Sequence, residues 1–181
     1  ATSGWGGRMG GLFMAGNGNA TFTCVNVSGN AVYLSGGAAV QYQVSAGGSV
    51  PLNALRSPLF GSSAASSALR TLITQPRTHL LEAEHTRVMQ RSIDAEVALR
   101  TALKPASDPL FGTAPASGAY NANNDPKLRY TNPITGATAF NNLAQQLQVV
   151  ARMIEASSNS AIGAKRQVFF VSMGGFDSHD N

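Results

Sequence analysis

The sequence predicts an α/β fold: part of a mostly parallel sheet sandwiched by helices, with a small antiparallel β patch near the N-terminus. Three observations lead there. Residues 138–157 carry Phe140, Leu143, Leu147, Val150 and Ile154 at spacings of 3, 4, 3 and 4, the stripe of an amphipathic helix. After a polar loop, Val168, Phe169, Phe170 and Val171 form an unbroken apolar run. Such a run suits a strand covered on both faces, as in a parallel sheet with helices outside. The first third of the chain instead shows short β-like runs separated by glycine pairs, Gly36-Gly37 and Gly47-Gly48. With 181 residues, 43% of them hydrophobic, the chain fits one ordinary domain with a real core.

Within the β-rich part, residues 1–55, positions 21–27 alternate around Phe22, Cys24, Val25 and Val27. A turn signal at Ser28-Gly29-Asn30 precedes residues 30–34 and predicts a short hairpin. Positions 40–44 put Val40, Tyr42 and Val44 on one face, and 49–52 read as an edge piece containing Pro51. Residues 62–68, rich in Ser and Ala, suit either a short helix or a loop. Residues 78–104 lie between Pro76 and Pro105 without Gly or Pro and predict a long amphipathic surface helix. Leu81, Val88, Ala95 and Ala102 form its apolar row beside His85, Ser92 and Leu99, with Glu82, Arg91, Glu96 and Arg100 opposite. Residues 105–137 form an irregular excursion holding Pro105, Pro109, Pro115, Pro126, Pro133 and the polar run 121–125. It is too long for a simple connector and is expected to pack on something outside the chain or to move.

Several function classes drop out. The net charge is +4 and the pI about 9.6, yet the basic residues are scattered. Their densest group, Arg87, Arg91 and Arg100, is interleaved with Glu84, Asp94 and Glu96. A nucleic-acid surface needs a basic stripe, usually with stacking aromatics, so no nucleic-acid partner is expected. No apolar run approaches the ~20 residues of a membrane span. Cys24 is the single cysteine, with no partner for an internal disulfide or a zinc cage, and reads as a small buried strand residue. Residues 1–7 lack a signal-peptide pattern and an initiating Met, so the chain is expected to begin inside a longer one. Trp5, set among glycines, reads as a packing anchor. His85 reads as a core residue and His79 as lying near a helix start; six residues apart, they do not share a helical face.

The candidate chemistry lies at the C-terminal end. Gly174 and Gly175 let the backbone turn sharply after the strand. Asp177, His179 and Asp180 then fall beyond its carboxyl end, where such sheets gather their chemistry. Asp and His offer carboxylate oxygen and imidazole nitrogen to zinc-like or manganese-like cations, and an Asp-x-His spacing converges on one ion or two neighbouring ions. An Asp at a strand end also serves simply as a turn cap.

The segment Phe169-Phe170-Val171-Ser172-Met173-Gly174-Gly175-Phe176-Asp177-Ser178-His179 resembles the signature of a bacterial family known as domain of unknown function 1501. That motif reads roughly aromatic-Val-Ser-Leu-Gly-Gly-Phe-Asp-Thr-His. The helix before it, through Leu143, Leu147, Val150 and Ile154, is similar to the family's helix. Ser3-Gly4-Trp5-Gly6-Gly7-Arg8-Met9 resembles its Gly-Trp-x-Gly-Arg segment. Met173 and Ser178 are mild departures, and the middle of the chain is unspecific. The resemblance implies an alkaline-phosphatase- and sulfatase-like fold, export to the periplasm or beyond, and Asp177 and His179 as ligands of a divalent ion, zinc or manganese. Asp180 and Asn181 lie beside them without a firm role. It also implies that residues 1–181 are a single incomplete domain, completed by the remainder of the parent polypeptide or a neighbouring chain. The expected function is that of a metal-dependent phosphatase- or sulfatase-like hydrolase, inactive as this portion. The rival is a non-catalytic exported binding or structural protein on the same fold with a degenerate site.

Overall fold

Cys24, Val25 and Asn26 are wholly shielded from solvent, and the sheet is built around the strand they form. The computed structural model describes residues 3–29 and 32–174. In chain order the elements are α1 (Trp5–Phe13), β1 (Cys24–Asn26), β2 (Gln41–Gln43), α2 (Asn53–Arg56), α3 (Ser63–Thr74), α4 (Leu80–Ala102), β3 (Arg129–Thr131), β4 (Thr138–Phe140), α5 (Asn142–Ala156) and β5 (Val168–Phe170), with short 3-10 turns between. The chain divides into two units: Ala1–Gly48 together with Ala102–Asn181, and Ser49–Thr101.

The first unit is mixed α/β. Its sheet is parallel, in the order β2-β1-β5, with Cys24 beside Gln41 and Val168 and Asn26 beside Gln43 and Phe170. Helix α1 packs on β1 and β5. It is held by Gly4 N–H donating to Ser35 O at 2.8 Å and Gly7 N–H to Tyr33 O at 3.1 Å. Gly6, Gly7 and Gly10 form its buried face. A Cβ at Gly10 would collide with the Cys24 sulfur, so a larger residue there forces the helix or the thiol to shift. Cys24, Leu34, Ala39 and Val168 make the core beneath it, flanked by Phe13, Met14 and Phe170.

The expected parallel sheet is present, but four details of the β reading are corrected. The N-terminal strands pair in parallel, not as a hairpin: the Asn26 side-chain oxygen accepts from the amides of Ser28 and Gly29, each at 3.1 Å, which launches a crossover instead of a reversal. The antiparallel patch lies at β3 and β4 instead, where Arg129 pairs with Phe140 and Thr131 with Thr138. Residues 49–52 form no strand. Strand β5 stands at an edge of the described sheet, not in its interior, with Phe169, Phe170 and Val171 only half-buried.

Helix α5 begins where Asn141 caps it, its side-chain oxygen accepting from Ala144 N at 3.1 Å. The expected sheet-facing stripe is also corrected. Leu147 and Ile154 are about half exposed (48% and 55%), whereas Gln148, Val149, Arg152, Met153 and Ala156 are buried. The buried face lies almost opposite the expected stripe, roughly 160° around the helix at about 100° per residue, and residues 104–128 pack on its polar part. That segment is therefore no free excursion: it packs on α5 and contains the buried Asp125 and Leu128.

The second unit is helical. Ser62 caps α3 by accepting from Ala65 N at 3.2 Å, which settles residues 62–68 as helix. Helix α4 matches the expected long helix, but Leu81 (74% exposed) lies outside its buried set of Thr86, Ile93, Ala95 and Leu99. His85 is exposed, as is His79, so the core placement of His85 is also corrected: Thr86, not His85, takes the buried position in that turn. No helix among the described residues is long and apolar enough to cross a membrane.

Candidate functional site at the carboxyl ends of the parallel strands

In an open parallel sheet the crevice that receives ligands lies beyond the carboxyl ends of the strands, where successive connections diverge. Here β1 is followed by a crossover to β2 on one side, and β5 joins β1 on the other. At the carboxyl ends of β1 and β5 an open cleft is lined by Val27 and Ser28 after β1, by Ser172, Met173 and Gly174 after β5, and by Asn142, Gln145 and Gln146 in the first turns of α5.

Gln146 fixes the geometry of this cleft. Its Nε2 donates to Ser172 O and its Oε1 accepts from Ser172 N, both at 2.9 Å. The amide thus takes the role of a neighbouring strand for one residue. It holds Ser172, just beyond β5, against α5. Asn26 organises the other wall through its bonds to Ser28 and Gly29 and by donating to Gln41 Oε1 at 3.3 Å. The sequence pattern pointed to neither residue; the only signal was a polar residue inside each apolar stretch.

Asp177 and His179 lie outside the described residues. The residues that do line the cleft are neutral amides, hydroxyls and apolar groups. None of them is a carboxylate or an imidazole, so the described lining by itself offers a divalent ion no strong ligand. Among the described residues, no three His, Cys, Asp or Glu side chains gather closely enough to hold a metal. His79 and His85 do not join any such group.

A second polar cluster, buried under residues 104–128, is a structural pin. Asp125 accepts from Thr113 N at 2.9 Å, Lys127 N at 2.9 Å and Tyr120 OH at 2.8 Å. Burial pushes its carboxyl pKa up, but these donors together outweigh that and leave it below the usual range. Gln148 Nε2 donates to Ala106 O at 3.2 Å, Phe111 O at 3.3 Å and Tyr120 OH at 2.9 Å. Burial pushes the Tyr120 phenol up. Arg152 Nε donates to Lys104 O at 2.8 Å, while burial pulls the guanidinium below its usual range. Lys104 Nζ in turn pairs with Glu155 at 2.6 Å. Gly112 is required here, since a Cβ would meet Ala106 O and crowd Asp125 and Gln148.

Two further expectations resolve in opposite ways. Cys24 is the buried strand residue expected, with its sulfur 3.8 Å from Gly6 O and its pKa pushed up by burial. Trp5 is not a packing anchor: it is 74% exposed, with the Arg8 guanidinium 5.6 Å from its ring. The inward face of α1 is taken by glycines, which leaves the indole outside.

Fold and site together define a mixed α/β protein with a cleft at the carboxyl ends of a small parallel sheet. No family model matches the chain, and no curated protein or solved structure shows significant similarity to it.

Proposed function

We propose that this chain is a portion of an exported bacterial protein of the alkaline-phosphatase- and sulfatase-like kind, whose metal site forms on the cleft beyond β1 and β5. The observation that carries the reading is the placement of Ser172–Gly174, clamped by Gln146 on the wall of that cleft. The chain reaches Gly174 at the switch point of a parallel sheet, which supports a site built from the residues that follow, Asp177 and His179 among them. The likeness of residues 169–179 to the signature of domain of unknown function 1501 supports the same assignment. A divalent ion, when bound, supplies Lewis-acid polarisation of a phosphoryl or sulfuryl oxygen. The chain's own part is to orient the tip through Gln146 and Asn26 and to offer Ser28 and Gln145 as neutral hydrogen-bonding groups.

The open side of β5 supports completion by further polypeptide. Val168 N–H donates to Thr23 O at 2.7 Å and Phe170 O accepts from Val27 N at 3.0 Å, so these residues face β1. In a parallel pair the alternate residues point the other way, which leaves the main-chain groups of Phe169 and Val171 for another strand. The remainder of the parent polypeptide, or a neighbouring chain, would supply it.

The test is the metal content of the intact parent protein, measured by plasma mass spectrometry after exhaustive dialysis. Asp177→Asn and His179→Ala each lower bound zinc or manganese by about tenfold or more, since even partners behind the ligands change affinity by 10- to 100-fold. His85→Ala leaves it unchanged. Unaltered metal content in both tip variants would return the Asp-x-His loop to the role of a turn cap. Bound metal without phosphatase or sulfatase turnover would favour the exported binding protein with a degenerate site.

A further inference from the structure

A recess within the helical unit combines apolar walls with cations that the unit does not itself neutralise. Val50, Leu52 and Leu55, on and just before α2, face Ile93 and Val97 of α4 across it. Ile93 is buried, whereas Val50, Leu52 and Val97 keep 57%, 45% and 42% of their surface exposed. Apolar groups gathered around a hollow stay partly wetted until something of matching character fills it.

Arg56, Arg70 and Arg100 line the same recess, with Glu96 as the one carboxylate. Their charges are not equally committed. Glu96 Oε1 accepts from Arg100 Nε at 3.2 Å and from Ser49 Oγ at 3.3 Å, and the Glu96 side chain is only 13% exposed. That pair neutralises itself. Arg70 reaches Asp94 at 3.8 Å with both side chains largely in solvent, an arrangement worth little. Arg56 takes part in none of the ion pairs among the described residues. Two guanidinium groups at an apolar recess therefore remain available to an anion.

We infer that this recess is a binding site for an apolar monocarboxylate of medium chain length. The apolar walls receive the tail. Arg56 and Arg70 hold the head group, for which the planar guanidinium fork is the natural partner. The site is independent of the strand-end cleft: all its lining residues lie within Ser49–Thr101.

Sodium octanoate titrated into the full chain tests this, followed by methyl chemical shifts of Ile93 and Val97. Octanol, octylammonium and inorganic phosphate are run alongside. Octanoate gives saturable shifts at these methyls, while octylammonium and phosphate do not. The exposed pair of substitutions Arg56→Gln and Arg70→Gln weakens octanoate binding by about tenfold or more, the scale of one lost charge-assisted hydrogen bond. Arg87→Gln, on α4 but outside the recess, leaves it unchanged. No saturable shift up to about 10 mM, weaker than a specific small-ligand site should be, overturns the assignment. So does equal binding of octanol and octanoate, or full octanoate affinity in the double variant when its circular dichroism matches that of the parent.

Discussion

Replacing Asp125 by Asn separates charge from shape at the pin that holds residues 104–128 on α5. The carboxylate is 2% exposed and receives three donors: Thr113 N and Lys127 N at 2.9 Å, and Tyr120 OH at 2.8 Å. An amide of the same volume has one acceptor oxygen where two were needed. Turned one way, its NH2 faces Lys127 N–H. Turned the other, it faces Thr113 N–H, though the Tyr120 hydroxyl can rotate to accept. Either orientation leaves one buried backbone donor without its charged partner, a loss of about 1.5–3 kcal/mol. Urea unfolding at pH 7 should therefore show Asp125→Asn less stable by about 2–3 kcal/mol. Asp94→Asn, at an exposed position, should stay within about 0.5 kcal/mol. The pH dependence has a definite sign. The folded pKa of Asp125 lies below its unfolded value, so its stabilisation is full above the unfolded pKa and is lost as pH falls through the folded one. The Asn variant does not titrate there, so the gap between the two proteins should narrow as pH drops below about 4. A gap under about 0.5 kcal/mol at pH 7, or one that holds constant into acid, would refute the pin.

Two further outcomes test the packing of α1 on the sheet. Gly10→Ala places a methyl against the Cys24 sulfur and should cost about 1–3 kcal/mol by overpacking. Adding Cys24→Ala should recover about 1 kcal/mol of that loss, as contacting sites couple; strictly additive urea midpoints would show that the helix simply moves away. Cys24 is fully buried with a raised pKa, so a disulfide reagent should label native protein at least about 100-fold more slowly than protein in urea. Native labelling within tenfold of the unfolded rate would place the thiol at a surface.

Periodicity revealed α4, α5 and the strand after α5 because those signals are local, but it missed α1, whose glycine-rich Trp5–Phe13 lies in the stretch read as β-rich. Residues 80–102 have no Gly or Pro, and the unbroken apolar run Val168–Val171, bounded by a polar loop and by Gly174, is too short for a helix of usual length. Pairing direction was not local. Ser28-Gly29 looks like a hairpin turn in sequence, yet Asn26, buried at the end of β1, takes both amides for its own side chain. Residues 27–40 then suffice for the dozen or more that a parallel crossover needs. The strand-end cleft was legible in outline from Gly174 and the apolar run before it. Its clamp was not, because Gln146 sits within an apolar helix pattern and shows its role only once Ser172 lies beside it.

The rotated face of α5 follows from the same limit and explains why residues 104–128 are ordered. Apolar spacing reports where apolar side chains are, but a covering segment without regular structure brings carbonyls that no ladder satisfies. Ala106, Phe111 and Lys104 present such carbonyls to α5, and a leucine face could not have answered them. Gln148 and Arg152, one helical turn apart, supply the donors on one line. Burying them unpaired would be costly, so the irregular segment and the polar helix face require each other. The apolar stripe of Leu147 and Ile154 is left half in solvent as a result. The α5 sequence therefore encodes a buried face, where Gln148 and Arg152 answer the loop of its own chain beside the apolar Val149, Met153 and Ala156, and an apolar stripe that its own described residues do not fully cover.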